Sequence, residues 1–447
     1  MSTTPPPPPT PPPLRVLISG AGIAGPALAL QLSRLPAPLK CTTTLIERHP
    51  SLRNTGQQID LRGQGVAAMR KLGIEDAVRA RVVDEPGVKI LNAKGEVQAY
   101  FGSNKTGKGA QAFSAEWEVM RGDLCEVLVG ETEGVEGVGY QFGRCVEAVE
   151  TVGEVVKVRF DDGEVGEYDL VVGCDGVGSR VRRRMFKDGR EDAHGVFPVG
   201  MWCAYYTVPA EEGDTADATW IHYPGRRYAM TRRDRPDCLR VYLGYGGDDA
   251  AIVAKLKTGT LEEQKEAWAA VFRPDLLDTW RMRRYLDGLH SAEADDFYSV
   301  EFAQVKLDSW SEGRVVLLGD AGYCPSPMTG MGTSLALIGA YVLAGEIARA
   351  CGKAHEEGGN PWDAIPVALA AYDTTLRPFV DHVQNAPLKF LLKIMLPSTA
   401  RTIRLLHWVF WLFLALRLDK LAARFGSDDR GTWKLPEYPE LVVPKQA

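Results

Sequence analysis

The sequence predicts a mixed α/β fold: a nucleotide-binding domain, an antiparallel sheet inserted into it, and a helical tail. Three observations carry that expectation. A glycine turn, "GAGIAG" at Gly20–Gly25, follows the apolar strand "LRVLIS" and opens a helix. Between about Gly195 and Gly247 the strand–helix alternation gives way to aromatic, alternating segments such as "MWCAYYTV" and "LRVYLGYG", the pattern of antiparallel strands. After Ala340 the chain reads as helix to about Phe425.

Taken in order, "TTTLIER" is a second strand and "GQGVAAMRKLGI" a helix closing on Gly73. "PGVKILNAKGEVQAYF" holds two short strands around an Asn-Ala-Lys-Gly turn, a hairpin signal. "EVMRGDLCEVLV" passes from strand to helix, and "VRFDDGEVGEYDLVVGCDG" gives a hairpin and then an apolar strand ending on Asp175. "LEEQKEAWAAVF" is helical. "VVLLGDAGYCPSPMTGMGTSLAL" runs from a strand through Asp320 and a loop of small residues into an alanine-rich helix. The resulting division assigns 14–80, 104–190 and 296–375 to the nucleotide-binding domain, 81–103 and 191–295 to the sheet domain, and 376–430 to C-terminal helices.

Composition excludes several classes. With 447 residues, 45% hydrophobic and 25% charged, the chain is that of a soluble globular protein of more than one domain. Its net charge of −6 leaves no basic footprint for nucleic acid. The eight cysteines form neither C-x-x-C pairs nor Cys/His clusters, so no disulfide framework or metal site is expected and a reducing, cytoplasmic setting is. Residues 1–13, "MSTTPPPPPTPPP", have no signal-peptide character and read as a solvated polyproline II tail. No stretch reaches the roughly 18–20 apolar residues of a membrane span. The nearest is Leu405–Leu416, "LLHWVFWLFLAL", flanked by Arg404 and Arg417. It suits a packed helix, a cover over the cleft, or a peripheral membrane or dimer contact through 403–418.

In the glycine turn, Gly20 permits the bend, Gly22 lets backbone approach a pyrophosphate, and Gly25 lets helix pack on strand. Glu47, about twenty residues on at the end of the next strand, suits a ribose diol and repels a 2′-phosphate. The ADP part is therefore FAD- or NAD-like. Asp175-Gly176 before Ser179, a helix N-cap candidate, is either a second nucleotide motif or a plain turn. Asp320 stands before a helix start whose unpaired N–H groups favour an anionic or oxygen-rich ligand. Arg182 to Arg184 suit either cofactor phosphates or a solvated helix face. No Ser, His or Cys arrangement supports nucleophilic catalysis, and the lone histidines His222 and His290 read as structural.

Together "GAGIAG", "ER" at Glu47-Arg48, "GQQIDLRGQG", "MRGDL", "GCDGVGSRVR" and "GDAGYCPSPMTGMGTSLAL" resemble the FAD-dependent aromatic hydroxylases of the p-hydroxybenzoate hydroxylase fold, closest to the tetracycline-inactivating branch. The resemblance covers roughly Leu14 to Val380. It implies a Rossmann-type FAD-binding domain in which Glu47 and Arg48 hold the adenosine, Asp60 and Arg121 contact FAD, and Asp320 meets the ribityl or pyrophosphate region. It places Asp175 in a motif shared with the reduced nicotinamide and Arg53 at NADPH. Pro327 and the Gly330-Met331-Gly332 backbone would line the flavin. Departures are Gly322-Tyr323, where many members read "GDAAH", and Ser334, where they read Asn.

The resemblance implies a single-component monooxygenase that uses NADPH (or NADH) and O2 to hydroxylate an aromatic or polyketide- or terpenoid-like small molecule through a flavin 4a-hydroperoxide. Only one dinucleotide turn is visible, so the nicotinamide must dock transiently. Trp202, Tyr205, Tyr206 and Trp220 are candidates for the substrate wall, half of them expected to face away because strand side chains alternate. No catalytic acid or base is identifiable. Epoxidase and Baeyer–Villiger outcomes remain open, as does a non-catalytic carrier of the GDP-dissociation-inhibitor type. A halogenase is disfavoured by the missing W-x-W-x-I-P signature.

Overall fold

A computed structural model describes residues 10–53, 55–103, 116–185, 195–418 and 433–441. The proline run before residue 10 and the expected helix beyond residue 418 lie outside the described residues. The nucleotide-binding domain is built on a six-stranded sheet, ordered Ser311–Glu312, Val315–Leu317, Leu170–Gly173, Leu14–Ser19, Cys41–Glu47, Val138–Phe142. All neighbours pair in parallel except the first two. Strands such as "LVVG" and "VVL" are buried along their whole length because layers cover both sheet faces. On one face lie the helices Ala24–Leu32 and Gly332–Glu356, and on the other a three-stranded sheet packs through Val156, Val158 and Phe160. Parallel strands end on the same edge, so the turns after Ser19, Glu47, Gly173 and Leu317 gather there. That edge is where α/β sheets bind ligands.

The second sheet has seven strands, ordered Tyr298–Val305, Val196–Pro209, Cys238–Tyr245, Arg227–Arg235, Ala218–Tyr223, Gly87–Leu91, Val97–Gly102. Its pairs are antiparallel apart from Ala218–Tyr223 with Gly87–Leu91. Here the sequence division needs correction. Residues 298–305 pair with Val196–Pro209 in this sheet, so the sheet domain extends past the boundary at 296. Neighbouring a glycine-rich motif in sequence had drawn that strand into the wrong domain. One sheet face packs on helices Leu261–Leu276 and Met282–Gly288 through Trp268, Phe272 and Tyr285. The other face looks toward the nucleotide-binding edge. The pair Gln58–Leu61 and Trp117–Met120 joins the two domains.

The C-terminal part is helical at Ile365–Gln384, Leu388–Met395 and Ala400–Ala415. The first packs on Gly332–Glu356. That longer helix is long and apolar enough to cross a membrane by length and composition, contrary to the sequence reading, yet it is buried in the core. Ala400–Ala415 opens with Thr399 capping it and lies over the second sheet, where Phe410 meets Phe101 edge-on at 5.6 Å. Its outward face exposes Leu405 (60%), Trp408 (55%) and Trp411 (56%). Residues 433–441 return to the nucleotide-binding domain. There Tyr438 packs on Tyr341 and its hydroxyl donates to Glu346 at 2.6 Å.

Candidate active site

The glycine turn shows why its residues are needed. Gly20 has φ +112°, and a Cβ there would lie 2.5 Å from the carbonyl oxygen of Cys174. At Gly25 a Cβ would sit 2.1 Å from the Gly20 oxygen, so glycine alone lets the helix start this close to the strand. A Cβ on Gly22 would crowd Arg121 Nη2 at 3.3 Å, so glycine leaves that guanidinium its place over the turn. The helices beginning at Ala24 and Gly332 have no side-chain cap, and both starts face one cavity of about 940 Å3. Two uncapped helix starts aimed at the same space present N–H groups and partial positive charge, a setting made for an oxygen-rich anion.

The charged groups around this space are unequal. Glu47, at its strand end, accepts from the backbone N–H of Ala21 and of His49, both at 3.1 Å, fixing the carboxylate against the glycine turn. Asp60 is paired with Arg62 at 2.7 Å, and a Cβ on Gly330 would lie 3.5 Å from it. Arg48, Arg53 and Arg121 instead crowd one another. Burial lowers the Arg53 guanidinium from its usual value, and the charges of Arg121 and Arg48 lower it further. A bound polyanion would relieve this repulsion. Asp320 lies across the cavity, 3.6 Å from where a Gly332 Cβ would be. Burial raises its carboxyl above the usual range, offset in part by the Cys324 thiol and the charge of Arg121.

Asp175 borders the cavity but its carboxylate is engaged locally. It accepts from the N–H groups of Arg180 and Val181 at 2.7 and 3.2 Å and from the Ser179 hydroxyl at 2.5 Å. Ser179 in turn caps the helix Arg180–Met185 through the N–H of Arg182 at 2.9 Å. Arg182 resolves neither as a phosphate ligand nor as a solvated residue. It is buried and donates to the carbonyl of Ala321 at 2.7 Å and to that of Val177, tying the Asp175 turn to the Asp320 turn.

The other end of the cavity is apolar and aromatic. Tyr205 and Trp220 line it, as do Tyr228, Met230, Tyr242 and Phe302 from the sheet. Leu391, Ile394, Met395 and Phe410 of the C-terminal helices close it from above. Trp202 and Tyr206 do not belong to this wall. Trp202 and Tyr206 lie in the core against the helical layer, with the Tyr206 hydroxyl donating to the Tyr285 carbonyl at 2.8 Å. Alternation along the strands sends them to the opposite face. Tyr205 stacks on Tyr298 and meets Tyr242 edge-on, both at 4.8 Å, and the Tyr242 hydroxyl accepts from the Gln58 N–H at 3.2 Å. This cluster fixes the second sheet against the nucleotide-binding domain.

Polar turns of one domain and an aromatic sheet face of the other thus share one continuous space. A model of the FAD binding domain matches residues 13–360. The FAD-dependent monooxygenase asL4 of Sarocladium schorii is 38% identical over 439 residues, covering 96% of this chain and 99% of that relative. The flavin-dependent monooxygenase eupH of a Phoma species is 37% identical over 439 residues, covering 96% and 97%. The crystal structure of the tetracycline destructase Tet(55) superimposes with a TM-score of 0.72 at 26% identity, over 95% of this chain and 99% of that one. The chain belongs to the FAD-dependent monooxygenase family.

In this monooxygenase the residues present fit FAD. Gly20, Gly22, Glu47, Arg48, Arg53, Asp60, Arg121, Asp175, Asp320, Pro327, Gly330 and Gly332 all border the cavity. Gly25 and Met331 do not; the first sits at the helix–strand contact and the second in the core. The two departures from the family pattern have local partners. The Ser334 hydroxyl accepts from the Arg62 N–H at 3.0 Å, and the Tyr323 hydroxyl is 2.8 Å from that of Tyr372. Sequence reasoning missed Tyr228 and Met230, offered a cover over the cleft as only one reading of the apolar C-terminal helix, and read His222, which also lines the cavity, as structural. Alternation from Trp220 would have found His222, since residues two apart share a sheet face.

Proposed function

We propose that the monooxygenase takes its electrons from NADPH (or NADH) and hydroxylates an aromatic or polyketide- or terpenoid-like small molecule. The observation that carries this reading is the single cavity joining an anion-binding edge to an apolar aromatic chamber. The chemistry supplied here by bound FAD would be hydride acceptance from the nicotinamide and O2 activation for insertion into the substrate. The glycine turn and the helix starts at Ala24 and Gly332 would receive its pyrophosphate, Arg121 adding charge. Glu47 would hold the ribose, while Pro327 and Gly330–Gly332 would border the ring. Arg53 would meet the nicotinamide cofactor's phosphate. Phe302, Met395 and Phe410 exclude water, which protects the oxygen transfer from a wasteful release of H2O2. Purified protein should be yellow, and its NADPH oxidation should accelerate with a hydroxylated aromatic or polyketide and yield a product 16 mass units heavier. A chain that takes up no FAD, or oxidises NADPH without any such product across a broad panel, overturns the reading.

We also propose that the outward face of Ala400–Ala415 rests on an anionic membrane surface. From Leu388 to Leu418 the chain has Lys389, Lys393, Arg401, Arg404 and Arg417 and no acidic residue, although the whole chain carries −6. All five cations are exposed beside Phe390, Leu405, Trp408 and Trp411. Apolar residues ringed by cations suit lipid headgroups, and the same helices roof the chamber that a lipophilic substrate would enter. Holoprotein should sediment with phosphatidylglycerol vesicles and less with phosphatidylcholine vesicles. Equal binding to both, or a stable dimer that hides Trp408, overturns it.

A further inference from the structure

Within the apolar chamber one side chain is chemically out of place. His222 is 3% exposed, and neither of its ring nitrogens has a hydrogen-bond partner. His407, on the helix above, is 7% exposed and leaves Nε2 without a partner. The two ring centroids are 5.9 Å apart. Trp220 stacks beside His222 at 5.2 Å with an interplanar angle of 26°. Ile90, Met230 and Phe410 add hydrocarbon to the lining, and Tyr228, opposite His222 on the next strand, has its hydroxyl 3.5 Å from Cys203 Sγ. Buried polar groups are ordinarily satisfied, so an imidazole in the cavity wall with neither nitrogen partnered, and a second imidazole nitrogen unpartnered behind it, point to a ligand that supplies the missing hydrogen bond.

The chemistry of the pair narrows that ligand. Burial pulls the His222 imidazole down to about 3, with a smaller contribution from His407, and burial lowers His407 as well. Both rings are therefore neutral at physiological pH, each with one donor and one acceptor. A hydrocarbon would leave them unpaired. A carboxylate would want a cation, and the cavity-lining Arg232 is already held at 3.3 Å by both Glu85 and Glu118. A hydroxyl donates and accepts, so it suits a neutral imidazole in either tautomer.

Resting on the monooxygenase reading above, we propose that His222, with His407 beside it, is the specificity-determining anchor for a phenolic hydroxyl whose ring lies against Trp220. The anchor does not remove the proton. It fixes which ring carbon is turned toward the flavin end of the cavity.

The test is calorimetric binding of 2-naphthol and of its methyl ether, 2-methoxynaphthalene, to the purified holoprotein. The unaltered protein should bind the naphthol about tenfold tighter, the worth of one hydrogen bond to a buried partner. His222→Phe should bring the two compounds to equal affinity while FAD content and thermal midpoint stay the same or rise. A merely structural histidine would instead lower the midpoint and leave the preference intact. His222→Gln, which keeps a donor and an acceptor, should retain part of the preference, and His222→Leu is read like the phenylalanine variant if that one does not fold. Binding of neither compound, equal binding by the unaltered protein, or a preference that survives loss of the imidazole overturns the assignment. The comparison can be read on the chain whatever its flavin content, so failure to take up FAD bears on the monooxygenase reading and leaves the anchor to be judged by the naphthol pair.

Discussion

The two ends of the cavity are built by different means. At the nucleotide edge the contacts are backbone turns, helix starts and short charged side chains carried on the ends of parallel strands. At the chamber the wall is every second residue of antiparallel strands, roofed by helices from a distant part of the chain. The first kind tolerates almost no change at Gly20 and Gly25, because the limiting contacts there are with backbone atoms, the Cys174 and Gly20 carbonyls. The second kind is a surface of side chains, and each can be exchanged at a cost that depends on which face it occupies.

The largest expected effect is at the edge. Gly20→Ala places a Cβ against backbone at a positive φ, and should cost roughly 2–5 kcal/mol and abolish FAD uptake. Denaturant unfolding and flavin absorbance check both; normal FAD content would break the contrast drawn here. Next, Trp202→Ala should destabilise by about 3–5 kcal/mol, the cost of emptying a core site, without moving substrate KM. Trp220→Ala, three strands along the sheet but on the cavity face, should do the reverse, with KM raised roughly tenfold and a much smaller loss of stability. Steady-state kinetics beside melting curves separates the two faces. Arg121→Ala should weaken FAD binding roughly 10–100-fold, as expected for a charged hydrogen-bonding group, whereas Arg53→Ala should raise the KM for NADPH and leave FAD retention alone. Smallest is Glu47→Gln, which keeps the shape of the side chain and should reduce FAD affinity about fivefold to tenfold by equilibrium dialysis. Unchanged retention would remove the adenosine assignment.

The same contrast explains what could be read from the chain. The edge was legible because its chemistry is local: a glycine turn between a strand and a helix, an acid at the next strand end, and Asp175 and Asp320 after apolar strands. Each motif predicts its own geometry, and the parallel sheet then brings the strand ends together. The chamber was only half legible. Tyr205 and Trp220 could not be told from Trp202 and Tyr206 without knowing which face of the sheet met solvent, helix or cavity, and alternation alone gives two equal solutions. The roof could be read only as one of several places for the apolar tail, for another reason. Leu391, Ile394, Met395 and Phe410 belong to segments whose apolar pattern is that of any amphipathic helix, and only tertiary packing says where such a helix lies. Residues 298–305 went to the wrong domain because nothing in "YSVEFAQV" records its partner, the strand Val196–Pro209.

The odd–even arrangement of the second sheet has a consequence for engineering. Tyr205, Trp220, His222, Tyr228 and Met230 touch the cavity, whereas their chain neighbours Tyr206, Ile221, Tyr223 and Ala229 hold the domain together. A mutant library confined to the first set can vary the cavity wall while the hydrophobic core of that domain goes untouched. Randomising contiguous stretches of the same strands would spend most of its members on chains that never fold.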